Sequence, residues 1–100
     1  AADGVFCTND DVAVGAYFEC QRRGIDVPGR MALAGFHGHD VGQVMTPRLA
    51  SVITPRQVIG EVAARELLAR IHGEPLTHKV LDMGYRIEPG MTLSSSSDLQ

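Results

Sequence analysis

Apolar residues along the chain fall into short runs that stop abruptly at polar ones. Gly4-Val5-Phe6-Cys7 gives way to Thr8-Asn9-Asp10-Asp11, and Met31-Ala32-Leu33-Ala34-Gly35-Phe36 gives way to His37-Gly38-His39-Asp40. Two such runs separated by one helix are the pattern of parallel strands whose carboxyl ends open into a ligand crevice. The polar residues at those ends are therefore the first candidates for function. Between the runs, Thr8, Asn9 and Asp10 supply N-cap chemistry ahead of Val12, and Gly24 closes a helix that runs to about Arg23. On a helical wheel Val12, Ala13, Ala16, Tyr17 and Cys20 fill one arc, while Val14 and Phe18 form a second patch. This predicts two packing partners. One is the sheet; the other is either a second subunit or a neighbouring helix of the same chain.

Further on, Val27-Pro28-Gly29 turns the chain into the second strand, and after a loop containing Pro47 the run Leu49 to Ile53 reads as a third. Thr54-Pro55-Arg56-Gln57 has the form of a capping box with Pro at the first helical position. Ile59, Ala63, Leu67 and Ile71, flanked by Val58, Val62 and Leu68, repeat at helical spacing until Gly73 and Pro75 stop them. Glu61, Arg65, Glu66 and Arg70 on the opposite face read as solvated charge. Strict alternation from Val80 to Ile87 predicts a last strand near a sheet edge. Ser94 to Gln100 reads as a disordered polar tail, leaving 1–93 as the folded portion.

Composition narrows the function classes. One hundred residues make at most one small domain, and 44% apolar with 21% charged residues is ordinary for a globular chain. No apolar run approaches the roughly 18 residues of a membrane span, which argues against a membrane role. Nine basic against 12 acidic residues, a formal charge of -3 and the lack of a dense Lys/Arg stripe argue against a nucleic-acid surface in this segment. Cys7 and Cys20 form no CxxC motif and read as reduced, buried thiols of a cytoplasmic protein.

The order strand, helix, strand, strand, helix, strand is α/β logic with a parallel sheet, yet it contains fewer strands than a doubly wound sheet normally has. Cys7-Thr8-Asn9-Asp10-Asp11-Val12-Ala13-Val14-Gly15-Ala16, then Gly24-Ile25-Asp26-Val27-Pro28, Met31 to Phe36, Pro47-Arg48-Leu49-Ala50-Ser51-Val52 and Gly60 recur in order and at family spacing. Together they resemble the carboxyl-terminal part of the effector-sensing region in lactose/galactose-type bacterial repressors. Within that family, Gly35 to Asp40 most resembles the gluconate-utilisation repressors. The resemblance covers the chain to about Pro89. It implies a parallel-sheet fragment of a periplasmic-binding-protein-like (type I) sensor, about the last third of a transcription factor. Such a protein contacts operator DNA through an amino-terminal headpiece that this chain lacks. It also implies a passage between two lobes near Val52 to Thr54, with the second helix belonging to the other lobe. Homodimer contacts are expected at Val14 and Phe18 and around Gln43 to Met45, with Met45 itself a contact.

The same resemblance marks three ligand-binding candidates. Asn9 matches a position that hydrogen-bonds sugar hydroxyls; its amide offers two donors and an acceptor in one plane, and the alternative is simply an N-cap. His37 stands where most relatives carry an Asp. An imidazole there can donate to, or partly neutralise, a ligand carboxylate, so gluconate or a related sugar acid fits better than a neutral sugar. Thr54 matches a third cleft position, although its place in the capping box favours a structural role. Asp10 and Asp11 at a helix start favour the macrodipole. His37 and His39, two residues apart in a loop with Asp40, have no third ligand at metal-motif spacing, and Gly35-x-x-Gly38 lacks the pattern of a dinucleotide cradle, so neither a metal nor a cofactor is expected. The leading expectation is a binding module, not an enzyme. The rival from another class is a small α/β enzyme acting on a sugar acid through His37, His39 or Asp40.

Overall fold

A sheet of four strands in the order β1-β2-β3-β4 organises the protein, whose computed structural model describes residues 3–75 and 80–93. The elements follow as β1 (Gly4–Phe6), α1 (Asp10–Arg22), β2 (Ala32–His37), α2 (Asp40–Val44), β3 (Ala50–Ile53), α3 (Arg56–Ile71) and β4 (Arg86–Glu88). β1, β2 and β3 are parallel and β4 joins β3 antiparallel, so the α/β class and the parallel sheet read from the chain are present. The expected tail, Ser94 to Gln100, lies outside the described residues.

α1 starts and stops where its caps dictate. Asn9 Oδ1 accepts from the Val12 amide at 2.9 Å. At the other end Gly24 takes φ +69°, its amide donates to Gln21 O and the Ile25 amide donates to Cys20 O, the paired bonds of a Schellman motif. The core lies between α1 and the sheet: Cys7, Ala13, Leu33 and Leu49 are buried, with Ala16, Tyr17, Val27 and Met45 packed around them. Val12, expected in the buried arc, is 52% exposed, because the turn beside the strand end is taken up by Asp10 and Ala13.

The other face of the sheet is apolar. Gly4, Phe6, Ala32, Ala34, Val52, Ile87 and Leu93 line a groove of about 440 Å³ there. Thr92 closes the sheet where β2 and β3 diverge. Its buried hydroxyl accepts from the Ala50 amide at 2.8 Å and donates to Leu33 O at 2.6 Å, and its carbonyl accepts from the Leu33 amide.

Three expectations need correction. The capping box does not form: Pro55 precedes α3 without a side-chain cap, and Gln57 donates to Glu61 at 3.3 Å instead. Thr54 continues the line of β3, and its hydroxyl lies beside His37. The alternation from Val80 to Ile87 becomes strand only from Arg86, because the Gly84 amide turns back onto Asp82 Oδ1 and Gly84 adopts φ +76°. Finally, the loop after β2 contains a five-residue helix, α2, that has no apolar periodicity to announce it.

The chain divides into two compact units. One comprises the segments up to Thr54 and from Arg86 onward, and the other runs from Pro55 to Tyr85. Within the second unit α3 has no fully buried residue, and Leu67, Leu68 and Ile71 are all more than half exposed. It ends in a Schellman motif at Gly73, like α1 at Gly24. No helix among the described residues is long and apolar enough to cross a membrane.

Candidate functional site

The parallel register puts the carboxyl ends of β1, β2 and β3 on one rim. Phe6 pairs with Ala34, and His37 pairs with Ile53, so Thr54 follows directly beside His37. Cys7 extends the first pairing by donating its amide to Ala34 O at 2.8 Å. The two stretches singled out in the sequence, Cys7 to Asp10 and Phe36 to Asp40, are thus neighbours. Burial raises the Cys7 thiol pKa, which keeps that thiol protonated and unreactive beneath the rim.

His37 is the focus of the rim. Its Nδ1 lies 3.4 Å from Thr54 Oγ1, its ring meets Phe36 edge-on with centroids 4.7 Å apart, and it stacks on His39 at 5.8 Å with the planes inclined by 10°. Its backbone sits at φ +93°, a region that costs a bulky side chain about 1–3 kcal/mol and that clusters at ligand sites. His39 in turn has Nδ1 3.5 Å from the exposed Asp11 carboxylate. When Nδ1 of His37 accepts from the Thr54 hydroxyl, Nε2 carries the proton and can donate to a ligand; when the ring is protonated both nitrogens donate. Of the two readings the sequence offered for Thr54, cleft position and helix cap, the cap does not form, and its hydroxyl stands beside His37.

Asn9 sits on the same rim, but its Oδ1 is committed to the α1 cap. Its two Nδ2 hydrogens remain the groups it can offer a ligand. Val14 is half-buried and Phe18 is 59% exposed, its ring touching Tyr17 edge-on. Met45 leans on the core cluster, and a wider groove of about 810 Å³ runs beside it past Gln43, Val44 and Arg48. Neither this groove nor the one on the sheet face is lined by Asn9, His37 or Thr54.

Sequence reasoning missed Asp10. Read from the sequence as N-cap chemistry and a complement to the helix dipole, it is fully buried: Oδ1 accepts from Ser51 Oγ at 2.8 Å and Oδ2 from the His39 amide at 2.6 Å. Ser51 Oγ also accepts from the Gly38 amide at 3.2 Å. The available signals were Ser51, a polar residue within an apolar strand, and Gly35, where a Cβ would overlap the Asp10 carboxylate. Far from the rim, Glu19 is held down to about 2 by Arg22 first and Arg23 second, a solvated cluster on the α1 surface.

A mostly parallel sheet whose strand ends gather polar side chains on one rim has the arrangement at which open α/β sheets bind ligands. Residues 1–93 match the periplasmic binding protein-like domain family, and the chain belongs to that family. Within it the relatives are transcriptional regulators, as the resemblance to lactose/galactose-type repressors implied. The chain is 67% identical over 88 residues to the HTH-type transcriptional regulator GntR of Escherichia coli K12, covering 88% of this chain and 27% of that protein. It is 52% identical over 91 residues to the HTH-type transcriptional regulator IdnR of the same organism, covering 91% of this chain and 27% of that protein. Among solved structures it is similar to the transcription regulator GntR of Chromobacterium violaceum, with a TM-score of 0.80 at 42% identity, covering 90% of this chain and 33% of that one. The chain therefore spans about a quarter of the length of the curated relatives it matches.

Proposed function

We propose that this segment is the effector-binding and dimerisation part of a cytoplasmic transcriptional repressor that senses a sugar acid such as gluconate. Asn9, His37 and Thr54 are its ligand groups. The observation that carries the proposal is His37 itself: a histidine at the end of the central parallel strand, at φ +93°, with the Thr54 hydroxyl beside one ring nitrogen and the other nitrogen left to donate. A carboxylate at that place would repel an acid, and a neutral amide would give it no charge. Thr54 Oγ1 and Asn9 Nδ2 add hydroxyl-scale hydrogen bonds of the kind a polyol needs.

The rim supplies one wall of a cleft, and the remainder of a full-length protein supplies the other. Binding across such a cleft acts on transcription only through the effector's different affinity for operator-competent and operator-incompetent states. No bond is broken, and the acid leaves unchanged. Operator DNA is contacted by an amino-terminal headpiece outside this chain, in keeping with the formal charge of -3 here. Pairing into a homodimer uses Phe18, Val14 and the α2 loop with Met45, since a two-fold operator asks for a two-fold protein.

Isothermal titration of gluconate into the full-length protein tests this. Saturable binding is expected, with ligand recovered intact. His37→Ala should weaken that binding by about tenfold, the scale of one hydrogen bond to a charged group. Unaltered affinity in the variant removes His37 from the site, and consumption of gluconate refutes a sensor.

A further inference from the structure

We infer that Asp10 is a positioning residue that sets His37 and His39 for the ligand, an inference that rests on the effector site proposed above. Asp10 opens α1 and is fully buried. One carboxylate oxygen holds the His39 amide directly, and the other holds the Ser51 hydroxyl, which itself receives the Gly38 amide. The two residues that follow His37 are therefore both tied, one directly and one through Ser51, to a single side chain. No Lys or Arg side chain pairs with Asp10 among the described residues. Its charge is offset by these donors and by the amino-terminal end of α1.

A strained backbone persists only where its surroundings over-determine it. At His37 the restraint on the following amides comes from Asp10, and that restraint orients the ring toward its stacking partner His39 and toward Thr54. The fit is cut close. A Cβ on Gly35 would overlap Asp10 Oδ1, and one on Gly42 would stand 3.5 Å from Oδ2 while meeting Leu49 at 2.9 Å. β2, β3 and α2 thus close around one carboxylate, more than a helix dipole requires. Because Asp10 belongs to α1, the helix that carries Val14 and Phe18, it also joins the ligand rim to the patch proposed for dimer contact.

Asp10→Asn in the full-length protein tests the inference, since it keeps the shape but can no longer accept both hydrogen bonds. Gluconate affinity is measured by calorimetry at a temperature where circular dichroism shows the variant folded. The His37 and His39 ring signals are followed by proton–nitrogen NMR in the same samples. Affinity should fall by about tenfold, the scale of one hydrogen bond to a charged group, and both ring signals should move. Ser51→Ala should shift the same signals less, and adding it to Asp10→Asn should change little more. A lowered melting temperature with unchanged affinity and unmoved ring signals would show a mere staple and overturn the inference. If the unaltered protein takes up no gluconate, the effector proposal fails, and the ring signals still decide the positioning role. Should Asp10→Asn fail to fold, Ser51→Ala is read by the same two measurements, and unmoved rings with unchanged affinity overturn the inference there too.

Discussion

Gly35→Ala puts the packing around Asp10 under direct strain. The new methyl would overlap Asp10 Oδ1 and stand 3.0 Å from Leu49 Cδ2 and 3.2 Å from Asp10 Cα. Because side chain and backbone are both in the way, rotating the carboxylate aside does not relieve the clash. Lifting α1 off β2 costs about 1–3 kcal/mol as overpacking. Displacing the carboxylate also weakens its bonds from Ser51 Oγ at 2.8 Å and from the His39 amide at 2.6 Å. Each is a hydrogen bond to a charged group, worth about 1.5–3 kcal/mol. With part of each retained, the expected loss is about 3–5 kcal/mol, a large share of the ~5–15 kcal/mol that holds an ordinary domain together. Urea unfolding followed by far-ultraviolet circular dichroism reads the loss as a lower midpoint. Gly15→Ala is the matched control: it lies on α1 with nothing within 4 Å of the added methyl, and it should stabilise by up to ~1 kcal/mol. A Gly35→Ala midpoint within about 1 kcal/mol of the unaltered protein would refute the close packing described.

Other outcomes follow from single contacts. Asn9→Ala removes the α1 cap and should destabilise by about 1 kcal/mol, and it should also weaken gluconate binding; Asn9→Ser keeps the cap and should lose only binding, as denaturation and calorimetry together will show. In native protein Cys20 should react with a thiol reagent well before Cys7, whose thiol is buried and whose pKa is raised by that burial; equal rates would contradict the buried position of Cys7. Phe18→Glu places a charge on an exposed apolar site and should shift sedimentation from dimer toward monomer while circular dichroism stays unchanged; an unaltered dimer would remove this face of α1 from the interface.

Local signals were legible where they are self-contained. Asn9 before Val12 and Gly24 after Arg23 bracket α1 because caps act through bonds three to five residues long. The adjacency of Cys7 to Asp10 and His37 to Asp40 followed from the order of a strand, a helix and a strand. Features that depend on distant partners were not legible. For Thr54 the resemblance marked a cleft position, but its local pattern read as a capping box, and only the fold brings its hydroxyl to His37, a residue 17 positions earlier. Asp10 looks like any acidic residue at a helix start until Ser51, 41 positions on, is brought to it. Thr92 likewise shows its purpose only once β2 and β3 leave a gap for it to fill. The short α2 was hidden for another reason: five residues with a central glycine carry no period.

Histidine NMR of the full-length protein during a gluconate titration asks whether a sugar acid is held at the His37 rim. The His37 and His39 ring signals should move together and saturate at the ligand concentration that saturates the calorimetric heat. Gluconate that binds by calorimetry while both rings stay where they were would contradict a ligand at this rim.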